Sequence, residues 1–184
     1  LECNPEPSAA HRGAFSFGQM IIAHAQESDL EQILSIQREA YMSEAALYDD
    51  FTIPPLRQTL DDLRAEFRAK VILKAMAEQK LLGSVRVSLS GDVCLLGRLI
   101  VTPAAQGRGV GSALLSAGEA VFPGARVVEL FTGSRSRQNI RFYEKRGYVR
   151  SHEEVLSPRV TLVYMRKLLP PNKAGAATAV PPGS

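Results

Sequence analysis

The sequence predicts an α/β (α+β) domain, with a central mixed, mostly antiparallel sheet of about six to seven strands and about four flanking helices. Three observations lead there. Apolar residues fall at helical spacing early in the chain; the period then turns strand-like through three runs separated only by short polar turns; and beyond Val101 helical and strand-like runs alternate. At 184 residues and 45% hydrophobic content the chain can bury one sizeable core, so a single globular domain is expected over 20–169.

Residues 1–19 are polar and small without periodicity, and are expected to be a disordered leader or an expression remnant ahead of a first strand, "MIIAHA", that opens at Met20. Ser28 with Glu31 reads as a capping box. Leu30, Ile33, Leu34, Ile36 and Gln37 continue at helical spacing toward Tyr41, so the first helix runs from about Asp29 into the forties. Pro54 and Pro55 cannot continue it. Thr59 is placed to cap a short second helix through Leu60, Leu63 and Phe67. "KVILKAMAE", "KLLGSVRVSLSG" and "DVCLLGRLIV" then read as three consecutive antiparallel strands, with turns at 78–80 and at Ser90-Gly91-Asp92. "VGSALLSAGEAVF" keeps Val110, Ala113, Leu114, Ala117 and Val121 on one stripe, which makes it a helix ended by Pro123-Gly124. "ARVVELFT" is a strand, Ser136 caps the helix "RQNIRFYEKR", and "YVRSHEEV" and "VTLVYMRKL" close the sheet as a hairpin. The Pro/Ala/Gly-rich stretch 170–184 is expected to be a mobile tail.

Two cysteines, Cys3 and Cys94, cannot build a disulfide framework, which favours a reducing, cytoplasmic setting. No apolar run approaches the roughly 20 residues that cross a bilayer, so no membrane partner is expected. Net charge is only +3 but unevenly spread. Residues 27–66 carry Glu27, Asp29, Glu31, Glu39, Glu44, Asp49, Asp50, Asp61, Asp62 and Glu66 against Arg38, Arg57 and Arg64. In 99–150 the balance reverses, which suits a polyanionic ligand. A nucleic-acid binder using "RSRQNIRFYEKR" is disfavoured, because Ile140, Phe142 and Tyr143 commit that helix to a buried face. His11, His24 and His152 show no metal-ligand spacing, and no metal is expected.

The stretch "VTPAAQGRGVGSALL" joins a strand to a helix through a glycine-rich turn. The first amides of a helix lack internal partners and the helix dipole adds positive potential, so this is an anion site. A P-loop requires a lysine that is absent, and the dinucleotide fingerprint from Gly107 meets Ser112 where its third glycine belongs, although Glu129 lies near the acidic spacing that fingerprint needs. The remaining pattern is Q-x-x-G-x-G, carried by Gln106, Gly109 and Gly111.

That pattern, placed directly after "RLIV", together with "NIRFYEKRGY" downstream, resembles the GNAT family of N-acetyltransferases over about 20–168. The resemblance implies that the backbone N–H groups of Gly107, Arg108, Gly109, Val110, Gly111 and Ser112 hold the pyrophosphate of acetyl-CoA, the cosubstrate. It also implies a splayed strand pair, in which Leu99, Ile100 and Val101 part from a neighbour near Phe131 and Thr132 and pair with pantetheine as a pseudo-strand. Tyr143 matches the tyrosine that protonates or hydrogen-bonds the departing thiolate. Family members often have Asn seven residues before that tyrosine; here the place is Ser136, while Asn139 precedes Tyr143 by four, so either could contact the coenzyme, and Ser136 could equally be only a cap.

The reaction so implied is direct attack of an amine on the thioester, without an acetyl-cysteine. An ammonium near pKa 10.4 must first lose its proton, and Glu44, Glu66, Asp49, Asp50 and Glu129 are the candidate bases. "SEAALYDDFTIPPL" and "ELFTGSRS" resemble a bacterial subgroup of these acetyltransferases, which leaves the acceptor open. The acidic stretch 27–66 predicts a cationic small-molecule or peptide amine. A homodimer is expected from the final hairpin and from dimerisation in the resembling family. The rival is a non-catalytic acyl-CoA binding or sensing domain, which would not need Tyr143.

Overall fold

A computed structural model describes residues 20–170. The expected leader with Cys3 and His11, and the expected tail beyond residue 170, lie outside the described residues. Seven strands form one sheet: β1 (Ile21–His24), β2 (Val71–Ala77), β3 (Lys80–Ser90), β4 (Val93–Val101), β5 (Val127–Gly133), β6 (Val149–Val155) and β7 (Thr161–Leu168), in the order β1-β2-β3-β4-β5-β7-β6. Every neighbouring pair is antiparallel except β4 and β5. The mixed, mostly antiparallel sheet is therefore as expected. Glu78 and Gln79, both with positive φ, make the turn that reverses β2 into β3.

Five helices cover the sheet: α1 (Leu30–Tyr48), α2 (Pro54–Arg57), α3 (Leu60–Ala69), α4 (Val110–Glu119) and α5 (Arg137–Glu144). The one beyond the expected four is α2. Pro54 and Pro55 end nothing there, because they occupy the first helical positions, where an N–H has no partner to lose. The start of α1 also differs. Gln26 and Asp29, rather than Ser28 and Glu31, form the reciprocal cap, around a short 3-10 turn over Glu27–Asp29. Asp29 is held there because it also accepts from Lys74 Nζ at 2.6 Å, and a tertiary ion pair outweighs a local propensity.

On one face of the sheet Leu30, Ile33, Leu34 and Ile36 of α1 and Leu63 of α3 pack against Ile72, Leu81 and Ile100. On the other, Val110, Leu114 and Leu115 of α4 and Ile140 and Tyr143 of α5 pack against Val85, Val87, Leu96 and Val128. The alternation of strand side chains thus feeds two helical layers.

The α1 face also holds a buried polar knot. Arg86 on β3 is 2% exposed; its Nη1 donates to Glu66 Oε2 at 2.5 Å and to Gln58 Oε1 at 3.1 Å, and its Nη2 donates to Gln37 Oε1. Gln37 Nε2 in turn donates to Gln58 Oε1 at 2.9 Å and to the Pro55 carbonyl at 2.8 Å, which fixes α2 and α3 on α1.

Thr59 caps α3 as expected, accepting from the Asp62 N–H at 3.1 Å while Asp62 Oδ2 accepts from the Thr59 N–H at 2.9 Å. Thr59→Ala should lower stability by about 1 kcal/mol in urea unfolding, and Thr59→Ser by much less. Equal losses would assign the effect to the methyl group instead.

Candidate active site

β4 and β5 run side by side for only three pairs, Val93 with Val127, Cys94 with Val128 and Leu95 with Glu129. Beyond Leu95 they separate. Ile100 and Val101 stay bonded to Ser84 and Gly83 of β3, and 131–133 of β5 stay bonded to β7, so the facing edges of both strands open onto a cleft. The parting coincides with a bulge: Gly97 pairs with Arg86 and Ile100 with Ser84, which puts Arg98 and Leu99 opposite a single residue. Arg98 takes φ 49°, an unusual conformation for a side chain of its size.

The cleft leads to the start of α4. After the 3-10 turn Pro103–Ala105, Gln106 Nε2 donates back to the Val101 carbonyl at 3.3 Å, folding the loop over the end of β4. Gly109 is the N-cap of α4 with φ 85°, a conformation that costs glycine nothing, and a Cβ on it would meet no atom within 4 Å. The first helical bond runs from the Ala113 N–H to the Gly109 carbonyl, so the amides of Val110, Gly111 and Ser112 precede the intrahelical ladder. Arg146, which sequence reading did not single out, reinforces the positive potential here. It contacts Ser112 Oγ, donates to the Phe142 carbonyl at 2.7 Å and stacks 3.6 Å from the Phe142 ring centroid. The positive character and the open space above Gly107 and Gly109 fit a pyrophosphate.

At the other end of the cleft the β5–α5 corner meets α1. A Cβ on Gly133 would lie 2.4 Å from the Tyr48 hydroxyl oxygen and 2.5 Å from Glu44 Oε1, so only glycine lets α1 come this close. The Tyr48 hydroxyl accepts from the Arg135 N–H at 2.7 Å. Ser136 is buried and donates to the Glu44 carboxylate at 2.5 Å, with no side-chain bond to the start of α5. Ser136 thus keeps the N-cap position of α5 by its backbone, while its hydroxyl hydrogen clamps the Glu44 carboxylate and no α5 amide donates to its oxygen. Asn139 is exposed, with Nδ2 3.4 Å from Thr132 Oγ1.

Tyr143 sits in the last turn of α5, edge-on to Phe142 at 5.2 Å and to Tyr148 at 5.8 Å. Burial, reinforced by Tyr41 and Glu44, pushes its hydroxyl well above the ordinary tyrosine range, against a smaller lowering by Arg146. It is therefore a protonated donor at any physiological pH. Cys94, fully buried, has its thiol pushed up to about 11 by burial and by Glu119, which makes it a poor nucleophile.

Of the candidate bases, Glu44 alone is drawn to this corner. Glu66 is bound to Arg86, Glu129 to Arg166 at 2.5 Å, Asp49 pairs with Arg159 at 3.4 Å, and Asp50 accepts from Thr52. Asp29 pairs with Lys74, Asp61 with Arg64, and Asp62 is spent on the cap. Within 27–66, Glu27, Asp29, Asp49, Asp61 and Glu66 thus have a cationic partner, while Asp50 and Asp62 accept only from Thr52 and Thr59 and keep their charge. Among the described residues no cluster of His, Cys, Asp and Glu could hold a metal ion, and no helix is long and apolar enough to cross a membrane.

A model of the acetyltransferase (GNAT) family matches residues 30–148. The chain belongs to that family. Among solved structures, this GNAT protein is similar to the PaiA N-acetyltransferase of Thermoplasma acidophilum in complex with coenzyme A, at TM-score 0.69 and 19% identity over 83% of this chain and 100% of that one. It is likewise similar to the ribosomal-protein-S18-alanine N-acetyltransferase of Escherichia coli, at TM-score 0.68 and 16% identity over 88% and 100% of the two chains. An N-acetyltransferase of Staphylococcus aureus Mu50 gives TM-score 0.65 and 20% identity over 81% and 98%. At these identities the likeness speaks to the GNAT fold alone. No curated protein matches the chain.

Proposed function

We propose that this GNAT protein transfers the acetyl group of acetyl-CoA directly to a primary amine of a small molecule or peptide. The observation that carries the reading is the parting of β4 from β5 next to the glycine-opened start of α4, with Tyr143 buried on α5 and held protonated. Bound acetyl-CoA would supply the thioester: the amine attacks its carbonyl carbon, a C–N bond forms, and the C–S bond breaks with the electron pair leaving on sulfur.

The chain's own residues do the rest. The amides of Gly107, Arg108, Gly109, Val110, Gly111 and Ser112 hold the pyrophosphate, and Gln106 braces their loop. The open edge of Leu99, Ile100 and Val101 pairs with the pantetheine amides. Glu44, oriented by Ser136, takes the proton of the ammonium, and Tyr143 donates a hydrogen bond to the developing thiolate. With Ser136 committed to Glu44, Asn139 is the better coenzyme contact of the two. The buried Cys94 thiol supports direct transfer over an acetyl-enzyme.

Free-thiol release from acetyl-CoA, screened over polyamines, aminoglycosides, amino acids and peptide N-termini, tests the reading. Tight acetyl-CoA binding with no amine acetylated would favour a sensing domain; binding of NAD or ATP in its place would remove the coenzyme assignment. Gly109→Asp adds a negative charge beside the phosphates, and should weaken acetyl-CoA binding by roughly tenfold to hundredfold in calorimetry while the fold persists. Unchanged affinity in the folded variant would take the loop out of the site. We further infer a homodimer through β6, an edge strand whose residues are all exposed, among them Val149 and Val155. A monomer mass by light scattering at micromolar concentration would contradict it.

A further inference from the structure

Arg98 stands where β4 parts from β5, in a backbone conformation that only surrounding structure can impose on an arginine. Its neighbours on this face are satisfied: Arg86 has Glu66 and Lys74 has Asp29. Arg98 has no carboxylate within 4 Å among the described residues, although it is half-buried; its close partner is the Tyr41 ring, 5.7 Å from the guanidinium carbon. A guanidinium presents a planar fork of donors matched to a carboxylate, so one partly withdrawn from water without such a partner is a ready receptor for an oxyanion.

The position agrees with this. Arg98 is close enough to Arg86 to disfavour its charge, so the two cations together leave positive potential behind the cleft that Glu66 offsets only in part. Tyr41, on which Arg98 rests, lies three residues before Glu44 on α1, so the two share one face of that helix. The bulge therefore sets a cation just beyond the parting of β4 and β5, against the face of α1 that carries Glu44.

Resting on the acetyl-transfer reading, we propose that Arg98 binds a carboxylate carried by the acceptor, so that the substrates are amino carboxylates: amino acids or close relatives whose amine lies a few bonds from the acid. Arg98 selects the acceptor and Glu44 deprotonates it, while the phosphate site at α4 plays no part in the choice.

Matched pairs test this, each an amino acid and the amine left by removing its carboxylate: methionine and 3-(methylthio)propylamine, phenylalanine and phenethylamine, lysine and cadaverine. Thiol release should show at least a tenfold preference in kcat/KM for the carboxylated member of the best pair, carried mainly in KM. Arg98→Met should collapse the ratio toward one. Arg98→Lys, which keeps the charge but loses the fork, should fall between them, and it also serves if the Met variant does not fold. Equal or better use of the decarboxylated amines, or a preference that survives in Arg98→Met, would overturn the assignment. If no amine is acetylated, the transfer reading fails on its own. The Arg98 site is then judged by calorimetry of the same amino acids on protein saturated with coenzyme A, where absent binding, or binding unaltered in the Arg98 variants, overturns it.

Discussion

Tyr143→Phe is expected to lower turnover by roughly 10² to 10⁴, the usual reach of a positioned acid, with acetyl-CoA affinity nearly unchanged. The substitution keeps the ring and its edge contacts with Phe142 and Tyr148, and no group among the described residues hydrogen-bonds the hydroxyl, so the fold loses little. Burial, with Tyr41 and Glu44, holds the hydroxyl protonated above its ordinary range. A thiolate whose conjugate acid has pKa near 8.5 could not take that proton completely, so in the proposed reaction the hydroxyl would act by hydrogen-bonding the thiolate as charge develops. The sign for pH follows. A raised tyrosine pKa keeps the donor through alkaline pH, so the rate should rise as the amine loses its proton and show no decline from tyrosine ionisation up to about pH 10. Full activity in the Phe variant, or an alkaline decline that vanishes with it, would reject this role.

Glu66→Leu should destabilise the domain by about 3 kcal/mol, read in urea unfolding, because it strands the Arg86 guanidinium, 2% exposed, without a counter-charge. Glu66 is itself partly open to solvent, which keeps the loss at the low end for a broken buried pair. The double variant Arg86→Met/Glu66→Leu should recover much of it, since an apolar pair of similar volume carries no desolvation penalty. If the double variant is no more stable than Glu66→Leu, the loss belongs to the Gln37 and Gln58 bonds rather than to the charge.

Elements whose causes are local were legible in the sequence. The three-strand meander follows from apolar runs with short turns, α3 from the Thr59 cap with Leu60, Leu63 and Phe67, and the start of α4 from its glycines. What could not be read depends on contacts across the fold. Ser136 looks like a cap until Glu44, 92 residues away, takes its hydroxyl. The start of α1 shifts because Lys74 recruits Asp29. Charge along a chain also does not say which acids find partners: Glu66 points inward to an arginine of β3, while Asp50 and Asp62 bind only threonines. The bulge at Arg98 leaves no trace in strand periodicity beyond the Gly97 that precedes it. Prolines 54 and 55 mark a helix start as readily as a stop, and only the pairing of α2 with α1 decides between them.

The sheet is two half-sheets, β1 to β4 and β5 to β7, stitched by three residue pairs between β4 and β5. A donor molecule that bonds both open edges would act as the missing stitch. At a hundred times its dissociation constant it would add about 2.7 kcal/mol to the resistance against unfolding. Proteases that sample the opened chain would then remove the protein fastest when the acetyl donor is scarce, so its abundance in a cell would follow the supply of its own substrate.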